Sequence, residues 1–210
     1  MLYKLTDQNW ETKNHTKWGP GIKHVALGPK GQDLCSNGYI HAYTNPLIAV
    51  LLNPIHTDIQ NPVLWTAKGF IIKTDGQLKC GCYSLTTIER IKLPKFTENQ
   101  KIYFGILCAL EVYKIKNFVS WAENWIPNKD RSIIAAYTTA AKVATYYAAA
   151  AKAANAAVAY AANAASSAAN AAANADAYYA AAKAATNAAI INKKINFIKF
   201  ARKAYNFEKQ

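Results

Sequence analysis

Glycine and proline are missing from the last 83 residues of the chain, since all 9 Gly and all 7 Pro lie at or before Pro127. These two residue types are the strongest local markers of turns, so we expect ordinary globular sequence to end near that point. Larger apolar residues are also scarce there, because 32 of the 55 residues from Ala135 to Ala189 are alanine. This distribution excludes a single large catalytic domain such as a TIM barrel or a full Rossmann fold.

Acidic residues are few: 12 Asp and Glu stand against 25 Lys and Arg, which gives a formal net charge of +13. The segment 190–210 holds six of the cations and a single acid, Glu208. A basic segment of this kind predicts an anionic partner such as nucleic acid, lipid headgroups or an acidic protein. We expect the contacts to come from Lys193, Lys194, Lys199, Arg202 and Lys203.

Membrane-type segments are not predicted either. The opening MLYKLTDQNWETK has no apolar h-region, so we do not expect a signal peptide. The uncharged run 153–175 contains four Asn and two Ser and no Leu, Ile or Phe, which is unlike a transmembrane helix. We therefore expect a cytoplasmic protein whose four cysteines are reduced, namely Cys35, Cys80, Cys82 and Cys108.

Residues 1–127 are predicted to form a small α+β head domain with an antiparallel sheet and covering helices. Asn45-Pro46 is typical of a helix start, and Asn53-Pro54 is expected to end that helix after about two turns. Asp75-Gly76 predicts a hairpin between strands at 64–73 and 78–93. The spacing of Thr97 and Gln100 predicts a capped helix that runs to Trp125 and covers one face of the sheet.

Residues 128–189 are predicted to be an almost continuous alanine-rich helix, either a rod or a hairpin folded near Ser166-Ser167. Asparagine and serine recur along one side of it, and the other side is a stripe of methyl groups that lets another helix approach closely. So apolar a surface is typical of an association face, which predicts a homo-oligomer or an intrachain hairpin. The methyl stripe consists of Ala154, Ala157, Ala161, Ala165, Ala168, Ala172 and Ala175. Residues 190–210 form a third, basic and aromatic helical segment.

The run LCSNGYIHAYTNPLIAVLLNPIH, followed by VLWTAKG, DGQLKCGC and LTTIERIKLP, resembles a family of uncharacterised phage and prophage proteins. That family has a Cys-x-x-Gly-aromatic-His-Ala segment leading into Asn-Pro-Leu, often followed by an alanine-rich helical tail. The matching positions here are Cys35, Gly38, Tyr39, His41, Ala42, Asn45, Pro46 and Leu47. The resemblance implies a phage-type protein in the host cytoplasm or in a larger particle or filament, and it implies no particular activity.

Within this segment, Tyr39, His41 and Tyr43 are the predicted ligand-binding residues. Gly38 to Ala42 also resembles the glycine-aromatic strand of ADP-ribosyltransferase folds, where an aromatic ring stacks on nicotinamide. Between the start of the predicted hairpin and the covering helix, Glu89 and Glu98 are the only candidates for a catalytic glutamate, and both look like surface residues. A zinc site of four cysteines is the other alternative, although Cys80-x-Cys82 spacing fits two buried thiols equally well.

We therefore predict no catalytic residue, no metal site and no bound cofactor. The leading interpretation is a non-enzymatic phage-type structural or interaction protein, in which the head is displayed on a self-associating alanine-rich helix. The alternative is a head that binds a nucleotide or an NAD-like ligand, related to ADP-ribosyltransferase folds and acting on host processes.

Overall fold

The computed structural model describes residues 1–152, 156–173, 177–192 and 194–209, with the backbone alone described for 146–152 and 156–158. The chain forms two compact units, Met1–Lys95 and Phe96–Gln210. The first is built around an antiparallel sheet and is called the sheet unit; the second consists of helices and is called the helical unit. The predicted combination of α-helices with an antiparallel sheet is confirmed, and the internal division differs from the predicted one.

The main sheet of the sheet unit has five strands, β1 Leu2–Thr6, β4 Lys23–Val25, β5 Ile40–Ala42, β6 Val63–Asp75 and β7 Lys79–Ile91. They pair in the order β1-β6-β7-β4, with β5 also pairing with β7. A separate two-stranded ribbon consists of β2 Glu11–Thr12 and β3 Thr16–Lys17. Directly after β5, Tyr43 exchanges two backbone hydrogen bonds with Tyr3 of β1. The end of β5 therefore lies between β7 and β1.

The long β6–β7 hairpin forms where Asp75-Gly76 predicts it. Gly76 has a φ of +55°, a left-handed conformation that favours glycine, and the carbonyl oxygen of Asp75 accepts from the N–H of Leu78 at 2.9 Å. Cys80 and Cys82 lie on β7 in a core cluster that also contains Trp18 and Leu85. The shorter strands β1, β4 and β5 all pair with this hairpin, which therefore forms the centre of the sheet.

Helix α1, Pro46–His56, begins at the predicted cap, because the side chain of Asn45 accepts from the N–H groups of Leu47 and Ile48. The prediction that Asn53-Pro54 ends the helix was wrong. Pro54 lies inside the last turn, and the buried Asn53 accepts from the hydroxyl of Thr57 at 2.6 Å and from the N–H of Ile59 at 3.1 Å. This side chain organises the end of the helix, so the chain turns away after His56 rather than at the proline.

The helical unit consists of six helices in its described residues. They are α2 Glu98–Val112, α3 Lys116–Trp125, α4 Ile133–Lys152, α5 Ala156–Ala173, α6 Ala177–Ile191 and α7 Phe197–Asn206. None of the helices in the described part of the chain is both long and apolar enough to cross a bilayer.

The predicted helix from Thr97 to Trp125 is two helices. Thr97 and Gln100 form the predicted capping box at the start of α2. The helix ends at Tyr113, which is buried and packs edge-to-face against Phe118 of α3 with ring centroids 5.8 Å apart. Helix α2 packs against α5, α6 and α7. We placed the end of the head domain at Pro127, whereas the compact units divide between Lys95 and Phe96, because α2 buries its apolar side chains among the later helices.

The alanine-rich tail is a set of packed helices rather than one rod, since α5 contacts both α4 and α6. Ala161, Ala165 and Ala168 of the predicted methyl stripe are buried, and Ala172 is partly buried. The predicted hinge at Ser166-Ser167 was wrong, because both serines lie within α5. Three other predicted positions, Ala154, Ala175 and Lys193, and the side chain of Ala157 lie outside what the structure describes.

The asparagines and one serine of the polar pattern lie at partly exposed positions of α5. Asn163, Ser166 and Asn170 are partly exposed, and the amide of Asn170 lies 3.5 Å from the hydroxyl of Ser166. Most other described side chains of this helix are buried methyl groups. A helix with so narrow a polar strip is surrounded by neighbours on most of its circumference.

Replacing Gly105 of α2 with leucine should destabilise the helical unit by about 1–3 kcal/mol, because a Cβ atom there would lie 3.1 Å from the Cα and 3.3 Å from the Cβ of Ala181 on α6. Leucine has a helix propensity better than that of glycine by under about 1 kcal/mol, so the steric cost should exceed the propensity gain. Urea unfolding followed by far-ultraviolet circular dichroism measures the difference. The matched control is Ser120→Leu at an exposed site of α3; equal stability of the two variants would show that α2 and α6 do not need this close approach.

Candidate functional site

A cavity of about 590 Å³ lies within the sheet unit. Its walls come from β1, the β2–β3 ribbon, β4, the segment leading into β5, and the end of α1. Three lysines and three histidines line it: Lys4, Lys13, Lys79, His24, His41 and His56. No aspartate or glutamate of residues 1–95 is among the lining residues. The charged groups of the cavity wall are therefore lysine ammonium groups, which only donate hydrogen bonds.

The three predicted ligand-binding residues all line this cavity. His41 lies on β5, with Tyr39 just before the strand and Tyr43 just after it. Both tyrosines are largely buried, at 7% and 4% exposure, so only part of each side chain faces the cavity. The three residues predicted to bind a ligand therefore lie together in one part of the cavity wall.

Each of these rings has a fixed neighbour. Tyr39 stacks on Tyr83 with ring centroids 5.6 Å apart and an angle of 10° between the ring planes. Tyr43 stacks on His56 at 5.9 Å, and its hydroxyl lies 3.3 Å from Nδ1 of that histidine. The Nε2 atom of His41 contacts the carbonyl oxygen of Leu34, which requires the proton to be on Nε2. The rings are therefore held in place before any ligand enters.

Lys4 was not predicted, and it occupies a central position. It lies on β1, and its ammonium group donates to the carbonyl oxygen of His41 at 2.9 Å and lies 5.0 Å from the ring centroid of Trp18. Burial lowers the pKa of Lys4 to about 8, opposed by the neighbouring thiols of Cys82 and Cys80. The ammonium form is therefore still the major one at pH 7, in a position where it is poorly solvated.

Two histidines of the cavity, His41 and His56, are held in the neutral form. Burial, followed by the charge of Lys79 and then by His41, lowers the pKa of His56 to about 3. Burial also lowers the pKa of His41; the hydrogen bond to Leu34 opposes this, and the charges of Lys79 and Lys4 add to it. The effects of Lys4 and Lys79 on the pKa values of these histidines show that the ammonium groups lie close enough to disfavour protonated imidazoles. An anion in the cavity would offset those effects.

The cysteines do not form the four-thiolate zinc site considered above. Cys80 and Cys82 are fully buried neighbours on β7, where a hydrogen bond between the two thiols lowers the pKa of Cys82 and raises that of Cys80. Cys35 is exposed, with its Sγ atom 2.9 Å from Nζ of Lys79, and Cys108 lies on α2. Within the described residues no three His, Cys, Asp or Glu side chains are grouped so as to hold a metal ion.

The candidate glutamates of the transferase alternative are not in the cavity. Glu89 is an exposed residue of β7, and Glu98 is an exposed residue in the first turn of α2. Neither lines the site. The residues present can bind and orient an anion, and they include no carboxylate to act as a general base or to stabilise a cationic transition state.

Comparisons with known proteins add no relative: no family model, no curated protein and no solved structure matches this chain. The resemblance to phage proteins consequently stays a prediction. The sequence does not predict the other lysines and histidines of the cavity wall, which are Lys4, Lys13, His24, His56 and Lys79. They come from distant parts of the chain. The pairing of β5 with β7 and of Tyr43 with Tyr3 places the β5 segment beside Lys79 and Lys4.

We expect the free energy of unfolding to fall between pH 7 and pH 5, because His56 binds a proton with a pKa near 6.5 in the unfolded chain and only near 3 in the folded one. The unfolded state then takes up more protons, so stability that is present above pH 6.5 is lost on acidification, about 2 kcal/mol between pH 7 and pH 5. Urea unfolding at each pH should show a smaller loss for His56→Gln than for the wild type. The control is His15→Gln, since the His15 side chain is exposed; an unchanged slope in both variants would contradict the assignment.

Proposed function

We propose that the sheet unit is a binding module for a small anionic ligand that carries an aromatic ring, of the nucleotide or NAD-like type. The observation that carries this proposal is the composition of the cavity wall: six lysine and histidine side chains and no carboxylate. A cavity of one charge sign raises the local concentration of oppositely charged ligands. Phosphate is the anion that lysine ammonium groups commonly hold in proteins.

The aromatic part of the proposal rests on Trp18, Tyr39 and Tyr43, which line the same cavity. Small-molecule sites are mostly apolar and aromatic, with a few fixed polar groups that set the orientation of the ligand. A volume of about 590 Å³ lies within the usual range for such sites, which is about 300–1,000 Å³. Rings already held by Tyr83 and His56 lose little conformational freedom when a base stacks against them.

A role in binding is better supported than a transferase reaction, because the cavity wall contains no glutamate or aspartate. The structural role predicted from the alanine-rich helix has less support from the geometry. Ala161, Ala165 and Ala168 are buried against other helices of the same chain, so they are not free to contact a second copy. Self-association, with the head displayed on the helix, stays a prediction that light scattering would test.

We expect AMP, ADP-ribose or NAD at millimolar concentration to raise the melting temperature of the sheet unit, because a ligand that binds only the folded state stabilises it by mass action. A concentration of 100 times Kd would correspond to about 2.7 kcal/mol. Lys4→Met should abolish the shift, and the shift in the wild type should decrease above pH 8, where Lys4 loses its charge.

The matched control is Lys68→Met, which removes an exposed lysine of β6 that does not line the cavity. This variant should keep the full shift. Adenosine, which lacks the phosphate, should give a much smaller one. The absence of any shift with all three phosphate-containing ligands, or an equal shift in Lys4→Met, would contradict the proposal.

A further inference from the structure

Helix α7 presents two different sides. Its apolar side chains Phe197, Phe200, Ala201 and Ala204 are buried. The end of α7 is held by α2, because the side-chain amide of Gln100 donates to the carbonyl oxygens of Tyr205 in the last turn and of Phe207 just after it, both at 3.0 Å. The predicted basic segment is therefore a structural part of the helical unit with one defined outer surface.

Aromatic stacking fixes the end of the chain further. The ring of Phe207 stacks on Tyr103 at 4.2 Å and on Trp125 at 6.1 Å, and the guanidinium group of Arg131 lies over both Trp125 and Phe207. Glu208, the only acid in the last 21 residues, contacts Arg131 and accepts from the amide of Asn99. This carboxylate is engaged away from the lysines of α7.

The outer side of α7 carries Lys199, Arg202 and Lys203, which are spaced i, i+3 and i+4 and so lie on one face of the helix. All three are exposed, as are Lys194 before the helix and Asn206 at its end. In the part of the chain that the structure describes, none of these cations forms an ion pair. We call Lys194, Lys199, Arg202 and Lys203 the α7 cationic face.

We propose that the α7 cationic face binds the phosphate backbone of nucleic acid without regard to sequence. Cations that are exposed and unneutralised on a rigid helix release counterions from a polyanion at little cost in conformational order. Binding to a lipid surface through an amphipathic helix also requires apolar side chains that enter the headgroup region. In α7 those side chains are already buried in the protein, which favours nucleic acid over membrane.

The test measures binding of the full chain to a fluorescent 20-base-pair DNA duplex of arbitrary sequence, by anisotropy at several salt concentrations. The triple variant Lys199→Gln, Arg202→Gln, Lys203→Gln should bind more than about tenfold more weakly at low salt. Its plot of log K against log salt concentration should be shallower by about 2–3, since each phosphate contact contributes about 0.9 to the slope. All three substitutions are at exposed positions, so far-ultraviolet circular dichroism should show an unchanged fold.

A second triple variant is the matched control for net charge. Lys116→Gln, Lys142→Gln and Lys183→Gln remove three exposed lysines from α3, α4 and α6 of the same unit. This control should keep the affinity and the salt slope of the wild type. An equal loss in both triple variants, or no binding by the wild type at 50 mM salt, would overturn the proposal. Preferential binding to phosphatidylserine vesicles at matched phosphate concentration, dependent on the same three residues, would overturn it as well.

Discussion

Close approach at glycine and alanine is the constraint on which both units depend. In the sheet unit, a Cβ atom at Gly81 would lie 2.6 Å from Cδ1 of Leu34 and 2.9 Å from Cβ of Tyr39. Because Gly81 has no side chain, the segment that carries Tyr39 lies directly on β7 and forms a wall of the cavity. In the helical unit, Gly105 and Ala181 allow α2 and α6 to approach in the same way. Larger side chains at these positions would separate the surfaces that the rest of each unit requires.

Electrostatic repulsion among the lysines and histidines of the cavity disfavours the folded state. Burial is the largest cause that lowers the pKa values of Lys4, His41 and His56. The charge of Lys79 lowers the pKa values of both histidines further, and Lys4 also acts on His41. A core chosen for stability alone would contain a carboxylate or an apolar residue at one of these places. Groups with perturbed pKa values in a cavity are typical of functional sites, and here the net shift of Lys4, His41 and His56 disfavours their positively charged forms. Binding of an anion would convert this unfavourable arrangement into affinity.

Local chemistry made several features of the fold predictable. The Asn45 cap, the capping box of Thr97 and Gln100, and the Asp75-Gly76 turn each depend on residues within four positions of one another, and all three form as expected. The break between α2 and α3 depends on the packing of Tyr113 against Phe118, and no glycine or proline at this point of the sequence indicates it. The division of the chain after Lys95 likewise depends on the packing of α2 against later helices. A short stretch of sequence does not reveal such long-range contacts.

The cavity residues fall into the same two classes, those that a short segment predicts and those that only the fold brings together. Tyr39, His41 and Tyr43 could be predicted as a group because they share one short segment, and all three line the cavity. Lys4 and His56 lie outside that segment, on β1 and at the end of α1, so the segment gives no sign of them. The α7 cationic face was visible in the sequence as a basic segment. Its apolar side chains gave no sign of whether they face a partner or the protein's own core, because both uses require the same helical spacing. Only the contacts with Gln100, Tyr103 and Trp125 decide between them.

The alanine-filled interior of the helical unit also bears on how its stability varies with temperature. Methyl groups contribute little apolar area, so unfolding α5 and α6 exposes less hydrocarbon per residue than unfolding a core of leucine and phenylalanine. The heat-capacity change of unfolding comes mainly from newly hydrated apolar area, and it determines how strongly the stability curve bends. A unit built in this way is expected to have a flat stability curve, with a free energy of unfolding that changes little between cold and warm conditions.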